Sequence, residues 1–274
     1  MKRALCVGIN DYPLRGSDLR GCVNDAKAWS SMLSGHFGFA SGDIEMVTDK
    51  AATKKVILSK LDHLLAGAKR NDVLVFTVSS HGTYLADTDT DGDEGADGAR
   101  FDEAICPWDM KDHLIVDDEL RQRFANLPTG VRLTMISDSC YSGSVSRGPA
   151  VPTPDDRRSR FVEPSLLGLR QLAVDQMQTA RSSRRLGEKF PESKMREVLL
   201  SGCRDNQTSF DANIGGTYHG AMSFFAQQLI GNANYDLTYR QLWDQLVVRI
   251  DREGYPQEPQ MEGKPSNLDR RLFT

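Results

Sequence analysis

The sequence lacks any long hydrophobic run. No stretch approaches the roughly 20 apolar residues that a membrane-spanning helix needs, and the amino-terminal MKRALCVGIND is too short for a secretory signal. No proline-rich segment precedes this run, so recruitment to a partner complex through such a segment is not expected. We therefore expect a cytoplasmic protein without membrane contact. We also expect a monomer.

Cysteines are few and widely spaced. The five lie at Cys6, Cys22, Cys106, Cys140 and Cys203. Their odd number and the absence of a CxxC pair argue against a disulfide framework and against a zinc site. We expect free thiols, most of which pack as small hydrophobic groups.

The chain also lacks a strong excess of either charge. Its net charge of −4 gives no electrostatic reason to expect nucleic-acid binding. The first apolar run is followed by GINDYP, which is no glycine-rich phosphate loop, so a nucleotide-dependent switch protein is disfavoured. With 274 residues, 39% of them hydrophobic, the chain can bury a full core.

Short apolar runs alternate with amphipathic stretches. Strands are predicted at 4–9, 44–47, 73–78, 131–137 and 198–201. Helices are predicted at 24–33, after a cap at Thr53, after a cap at Asp117 or Asp118, at 221–230 and at 238–250, where Thr238 and Gln241 form a capping box. This alternation indicates an α/β fold, with a mostly parallel sheet and helices on both faces.

A basic stretch divides the chain into two parts. Residues 147–196 hold nine arginines and two lysines and have weak periodicity, which predicts an exposed linker, with a short helix at 166–177 as an alternative. We expect one domain over 1–274, with a larger part at 1–143, the linker at 144–195, a smaller part at 196–274 and an extended tail from 255.

Two strand ends carry residues suited to catalysis. In an open parallel sheet, functional groups gather at the carboxyl ends of strands. VLVFTVSSHG delivers His81 to one such end and RLTMISDSC delivers Cys140 to another. A thiol with a pKa of about 8.5 is mostly protonated at neutral pH, and a nearby histidine can take its proton and return it to a leaving amine. The N–H groups of Gly82 and Cys140 are candidates for holding an oxyanion.

The structural alternative is that both residues only pack in the core. A lone cysteine or histidine after a strand is more often structural than catalytic, and only the pair favours catalysis. The four other histidines are predicted to be structural. They are His36, His63, His113 and His219.

Seven segments, in order, carry a resemblance to a known family. They are ALCVGINDYP, LRGCVNDA, VLVFTVSSHG, FDEAICPWD, DDEL, ISDSCYSGS and LLSGCRDNQTSFDA. The sequence resembles the caspase-like cysteine peptidases of family C14 (clan CD), and specifically the metacaspase branch. The resemblance implies the three-layer caspase–hemoglobinase fold, a His81–Cys140 dyad and hydrolysis of peptide bonds after arginine or lysine. True caspases have a QAC[RQG]G-like motif, which DSCYSG does not match.

The resemblance also implies an acidic pocket for the substrate cation. Asp25 and Asp138 would form its floor, with Ser79 and Cys22 beside it, and residues 206–209 would line the cleft. A carboxylate near a thiol disfavours the thiolate, so Asp138 is better suited to anchor a cation than to activate Cys140. We hypothesise that a bound arginine or lysine neutralises Asp138 and thereby helps Cys140 to ionise.

Residues 87–103 carry eight carboxylates. Their DxDxDG at 87–92 matches the opening of an EF-hand loop, but Gly98 stands where that loop closes with glutamate. A solvated acidic loop is the structural alternative. The resemblance implies a calcium site at Asp102, Asp117 and Asp118 instead, although SVSR at 144–147 lacks a further carboxylate that the family places there. We expect calcium stimulation.

A peptidase with this specificity would find substrates in its own linker. The candidate residues are Arg147, Arg158, Arg160, Arg181, Arg185 and Lys189, and the sequence does not choose among them. The alternative function is a catalytically silent caspase-like scaffold that binds peptide or calcium. Intact His81 and Cys140 argue against that alternative.

Overall fold

The computed structural model describes residues 1–86, 101–140, 156–169, 195–204 and 207–274. Within these residues a six-stranded sheet has the order β12-β9-β7-β3-β1-β2. Its strands are β1 (Lys2–Gly8), β2 (Ile44–Thr48), β3 (Val73–Ser79), β7 (Arg132–Asp138), β9 (Val198–Ser201) and β12 (Gln260–Glu262). All neighbours pair in parallel except β12, which lies antiparallel to β9 at one edge.

Helices cover both faces of this sheet. They are α1 (Cys22–His36), α2 (Lys54–Leu65), α3 (Asp117–Ala125), α4 (Ala221–Asn232), α5 (Tyr239–Arg252) and the short α6 (Pro265–Leu268). Side chains alternate along a strand, so Ala4 and Cys6 pack with α1, α4 and α5, whereas Leu5 and Val7 pack with α2 and α3. The prediction of a mostly parallel sheet with helices on both faces is confirmed.

Two small antiparallel sheets flank the carboxyl edge of the central sheet. One contains β4 (Gly82–Ala86), β5 (Phe101–Ile105) and β6 (Ile115–Val116). The other contains β8 (Arg157–Ser159), β10 (Phe210–Ile214) and β11 (Thr217–Gly220). β4 begins three residues after the end of β3, and β11 leads directly into α4. These sheets therefore extend the fold around the ends of β3, β7 and β9.

The helix caps were predicted with mixed success. Thr53 accepts a hydrogen bond from the Val56 N–H at 3.4 Å, and Thr238 forms the expected capping box with Gln241. The predicted cap at Asp117 or Asp118 was wrong, because α3 begins at Asp117 and both carboxylates lie in its first turn. There they still face the positive end of the helix dipole.

The basic stretch differs most from its prediction. An exposed linker was wrong for residues 156–169, where Arg160 has no exposed surface and Pro164–Leu167 forms a 3-10 turn. The predicted helix at 166–177 lies outside the described residues beyond 169. The tail from 255 contains β12 and α6 rather than extended chain alone. None of the helices in the described ranges is both long and apolar enough to cross a bilayer.

Candidate active site

The two strand ends singled out from the sequence are neighbours in the sheet. β3 and β7 pair in parallel up to their last residues. The contact continues one step further, where the hydroxyls of Ser80 and Ser139 lie 3.1 Å apart. His81 and Cys140 are the next residues on each chain, and both are buried. Neighbouring strands lie about 4.8 Å apart, so the fold brings these residues to the same level of adjacent strands.

The ring of His81 is oriented by a backbone carbonyl. Its Nε2 lies 2.7 Å from the Ser17 carbonyl oxygen. A carbonyl only accepts, so Nε2 carries the proton and Nδ1 holds the lone pair. Nδ1 is buried, with no hydrogen-bond partner among the described residues.

The environment of His81 keeps its ring neutral. Burial lowers the pKa of His81 to about 4, against smaller raising effects from the backbone groups of Ser17 and Arg160. The imidazole is therefore uncharged at neutral pH and has a lone pair ready to accept a proton. The backbone N–H of His81 donates to the Tyr12 hydroxyl at 3.1 Å, which fixes the main chain here.

The Cys140 thiol contacts a backbone carbonyl. It donates to the Gln207 carbonyl oxygen at 2.9 Å, and the Cys203 thiol approaches the same oxygen at 3.4 Å. A carbonyl does not take up the proton, so the thiol has to turn away from Gln207 before it can ionise towards a base.

A buried arginine fills an acidic pocket next to these strand ends. Nη2 of Arg160 lies 2.8 Å from Asp25 Oδ2 and 3.1 Å from Asp211 Oδ1. Nη1 donates to the Asp138 carbonyl oxygen at 2.9 Å and lies 3.4 Å from the carboxylate of the same residue. All four side chains have 0% exposed surface. One cation is therefore surrounded by three carboxylates without access to water.

The three carboxylates are fixed by backbone donors rather than by the cation alone. Asp25 accepts from the Gly220 N–H at 3.0 Å, and Asp138 accepts from the Ser223 N–H at 2.9 Å and from the Ser209 hydroxyl at 2.5 Å. Asp211 accepts from the N–H groups of Arg20 and Gly21 at 2.8 and 2.9 Å. Several of these donors belong to the amino-terminal ends of α1 and α4, which favour nearby negative charge.

Charge in this pocket depends on the cation. Burial raises the pKa of Asp25, while the neighbouring Arg160 lowers it. Burial alone would lower the pKa of Arg160, but the surrounding carboxylates raise it well above its usual value. The guanidinium is therefore charged. Without this cation the pKa of Asp25 would rise further, because its buried carboxylate would lack a counter-charge.

The size of the pocket is set by a glycine. A methyl group on Gly220 would overlap Asp138 Oδ2 and the Arg160 guanidinium. The backbone at this position has φ −70°, so space rather than backbone conformation requires glycine here.

Comparison with known proteins identifies the family. The model of the metacaspase peptidase C14 domain matches residues 2–149. Metacaspase-1 of Meyerozyma guilliermondii is 31% identical over 99% of this chain and 72% of its own length. Metacaspase-1 of Cryptococcus neoformans is 34% identical over 95% of this chain and 62% of its own length. The chain belongs to the metacaspase family. It is thereby a member of a family of cysteine peptidases.

Solved structures agree with this metacaspase assignment at the level of the fold. A crystal structure of a protein from Geobacter sulfurreducens has a TM-score of 0.71 and 25% identity, and covers 100% of this chain and 98% of that chain. Caspase-1 from Spodoptera frugiperda has a TM-score of 0.58 and 12% identity, over 96% of this chain and 86% of that chain. The caspase–hemoglobinase fold implied by the resemblance is confirmed.

The remaining predicted site residues occupy several positions around this metacaspase cleft. Gly82 donates its N–H to the Arg160 carbonyl at 2.9 Å. Ser79 ends β3 and is buried beside the Asp138 strand end. Cys22 begins α1, and burial raises the pKa of its thiol well above the usual value, so it stays neutral. Of residues 206–209, position 206 lies outside the described residues. The carbonyl of Gln207 accepts from Cys140, Ser209 donates to Asp138, and Thr208 between them is buried.

Sequence reasoning missed two members of the pocket. Asp211 was quoted within a family segment but given no role, because its role depends on contacts with Arg160 and with the start of α1. His219 was predicted to be only structural, yet its Nδ1 lies 3.3 Å from Asp25 Oδ1. The position of this histidine at the end of β11, next to the pocket glycine, was the available signal.

The predicted calcium ligands lie on two different elements. Asp102 lies in β5, and Asp117 and Asp118 lie in the first turn of α3. Asp117 also lies 3.6 Å from Arg121, a cation that competes for its charge. Within the described ranges no group of three histidine, cysteine or acidic side chains is placed to hold a metal ion. The EF-hand-like run at 87–92 and the segment 144–147 lie outside those ranges.

Proposed function

We propose that this metacaspase is a cysteine endopeptidase that cleaves peptide bonds after arginine or lysine, with Cys140 as nucleophile and His81 as base. The observation that supports the specificity is the fully buried Arg160 side chain among Asp25, Asp138 and Asp211. The pocket lies beside the two strand ends that carry the dyad, so a substrate cation bound there would place its own carbonyl near Cys140.

The reaction follows from the orientation of His81. The Nδ1 lone pair accepts the Cys140 proton, and the thiolate attacks the carbonyl carbon after the bound basic residue. The N–H of Gly82 stabilises the negative charge on the carbonyl oxygen. His81 then returns the proton to the leaving amine. Water next gives a proton to His81 as its oxygen bonds to the thioester carbon, and the C–S bond breaks as that proton returns to the Cys140 thiolate. Ser17 keeps Nε2 protonated, so the tautomer needed for both steps is fixed.

The pocket geometry favours arginine over lysine. Two guanidinium nitrogens bind different groups at once: Nη2 contacts Asp25 and Asp211, and Nη1 contacts Asp138. The single ammonium of lysine cannot reach all of them from one point. Loss of one charged hydrogen bond costs about 1.5–3 kcal/mol, which corresponds to roughly a tenfold to hundredfold lower kcat/KM.

Fluorogenic peptides ending in arginine, lysine or aspartate test this function. We expect release from the arginine peptide first, then lysine, and none from aspartate. Cys140→Ala is expected to abolish release, whereas Cys6→Ala, which removes another buried thiol in β1, is expected to retain it. A folded wild-type chain that binds arginine peptides but releases none would instead support the silent scaffold.

Calcium stimulation is a separate proposal, supported by the resemblance alone. Because the described residues offer no cluster of three ligands, no catalytic step is assigned to the ion. Peptide hydrolysis measured with calcium and with a chelator tests the proposal, and equal rates would contradict it. The cytoplasmic location and the monomeric state stay predictions from the sequence.

Self-cleavage is the last part of the proposed function. A peptidase with this specificity carries several arginines and lysines in its own basic stretch, and one of them already contacts the pocket. Fragments that appear in the wild-type chain and not in Cys140→Ala would support it.

A further inference from the structure

We infer that residues 157–162 bind in the cleft as an internal substrate, so that the bond between Arg160 and Phe161 is the one cut first and the uncut chain blocks its own site. This inference rests on the proposed function and selects one bond and one regulatory role within it. The observations that support it are the contacts of residues 157–162 on both sides of the Arg160–Phe161 bond.

The residues before the bond add a strand to the small sheet. β8 pairs antiparallel with β10, with Arg158 opposite Asp211. The pairing continues to Arg160, whose N–H donates to the Ser209 carbonyl at 3.0 Å. Strand addition of this kind is a common way to bind an extended peptide, with main-chain hydrogen bonds giving affinity and a pocket for one side chain giving specificity.

The bond itself lies at the predicted oxyanion donor. The carbonyl oxygen of Arg160 accepts from the Gly82 N–H at 2.9 Å. The backbone of Arg160 also lies close enough to His81 to affect its pKa, although burial has the larger effect. The carbonyl that would react is therefore next to both the base and the oxyanion donor.

The residues after the bond are held as well. The Val162 N–H donates to the Gly82 carbonyl at 3.0 Å, and the Thr83 hydroxyl donates to the Val162 carbonyl at 2.8 Å. The ring of Phe161 stacks on Tyr84 with 6.0 Å between centroids. A segment fixed on both sides of one peptide bond resembles a bound substrate rather than a side chain that happens to fill a pocket.

The neighbouring basic residues lack these contacts. Arg158 is exposed and donates to the Asp18 carbonyl at 2.9 Å, and Arg157 donates to the Gly254 carbonyl at 2.8 Å. Within the described part of the basic stretch, Arg160 is the arginine whose side chain enters the pocket. The geometry thus distinguishes between bonds that the sequence left equivalent.

The cut proceeds in two balanced steps. First, the Cys140 proton moves to His81, the thiolate bonds to the Arg160 carbonyl carbon, and the bond to the Phe161 nitrogen breaks as His81 returns the proton to that nitrogen. Second, water gives a proton to His81, its oxygen bonds to the same carbon, and the C–S bond breaks as the proton returns to the thiol. The products are a carboxylate at Arg160 and an amine at Phe161.

Occupancy of the pocket has a consequence for external substrates. An outside peptide needs the same pocket, the same Gly82 donor and the same β10 edge, so it competes with a segment that is always present. The intact chain is therefore expected to be a poor peptidase until the segment is cut and leaves.

The test compares four full-length chains: wild type, Cys140→Ala, Arg160→Gln and Arg158→Gln. Fragments are identified by mass under denaturing conditions, and arginine-peptide hydrolysis is followed from the moment of mixing. Wild type and Arg158→Gln are expected to give fragments 1–160 and 161–274 at a rate independent of chain concentration, because the segment is bound within its own chain. Arg160→Gln is expected to lose this cut and to hydrolyse the peptide at least tenfold faster than uncut wild type.

The outcomes separate this inference from the function on which it rests. If no chain hydrolyses arginine peptides, the proposed function fails. If peptides are hydrolysed but the first cut falls elsewhere, or Arg160→Gln and wild type start at the same rate, the inference is wrong.

A second variant keeps the inference testable if Arg160→Gln does not fold. Arg160→Lys keeps the cation, and we expect it to be cut more slowly after the same position, 160. A first cut at another position in that variant would also overturn the inference.

Discussion

Replacing Arg160 by glutamine in the uncuttable Cys140→Ala chain is expected to destabilise the fold measurably. The substitution keeps much of the side-chain length but removes the positive charge between Asp25, Asp138 and Asp211. Stability is lost because the three carboxylates stay buried without their counter-charge.

Two bounds set the magnitude. Hydrogen bonds that involve a charged group contribute about 1.5–3 kcal/mol, which gives the lower bound. Breaking a buried ion pair by removing one partner costs about 3–5 kcal/mol. This value is an upper bound here, because residues 157–162 can leave the cleft and allow water to reach the carboxylates. We expect a loss of about 1.5–5 kcal/mol in the free energy of unfolding, measured by urea denaturation.

The loss is expected to depend on pH. Arg160 lowers the pKa of Asp25, which burial has already raised above its ordinary value of 3.8. Without the cation this pKa rises further, so the folded state binds a proton that the unfolded state has released, and stability falls as pH rises through the folded pKa. The deficit of the variant is therefore larger at pH 8 than at pH 5.

A matched control makes the result decisive. Arg158→Gln removes an exposed arginine two residues away and is expected to change stability by less than about 0.5 kcal/mol. Equal losses in the two variants, or a loss from Arg160→Gln that is the same at pH 5 and pH 8, would refute the view that Arg160 is a buried counter-charge.

Three further predictions concern other parts of the molecule. In the Cys140→Ala chain, NMR is expected to show His81 titrating at about pH 4. Because the unfolded chain takes up this proton at higher pH, the contribution of His81 to the free energy of unfolding should fall by about 3 kcal/mol between pH 6.5 and pH 4. Titration near pH 6.5 would contradict the burial of this ring. Gly220→Ala is expected to lower arginine-peptide kcat/KM by at least about a hundredfold, since the added methyl group overlaps the bound guanidinium; near-normal hydrolysis would contradict the assigned pocket. Thr238→Ala is expected to cost about 1 kcal/mol in urea denaturation without altering hydrolysis, and an unchanged midpoint would mean that this cap contributes nothing.

The central sheet was predictable because its strands are buried on both faces. The apolar run at 73–78 became β3 with one extra residue, and the run at 131–137 became β7 with a shift of one. Such runs are favoured wherever helices cover both sides of a parallel sheet. The same pattern placed His81 and Cys140 at strand ends, whereas the pairing of β3 with β7 is seen only in the folded sheet.

The pocket was only half predictable. Asp25 and Asp138 came from the resemblance to metacaspases, and their approach in space depends on residues that no local pattern connects. Asp211 meets the Gly21 N–H across 190 positions of sequence, and Arg160 meets Asp25 across 135. β8 (RRS) has no apolar residue, so hydrophobic alternation does not mark it. β10 (FDANI) alternates, but a run of five residues does not show which strand it pairs with.

The basic stretch shows why charge alone misleads. Arginine is rarely fully buried, so a run of arginines is reasonably predicted to be solvated. Burial of Arg160 became favourable only because the fold gathers three anions at one place. Which arginine of a series satisfies that condition depends on strand register, and register is a property of the assembled sheet.

The position of β9 decides what would remain after the chain is severed. β9 is inserted between β7 and β12, so strands from both sides of position 160 share one continuous sheet and one core. An interface of this kind resembles the interior of a domain and binds obligately. The two fragments are therefore expected to elute together as one complex in native gel filtration. Fragments produced as separate polypeptides are expected to assemble into a single folded unit.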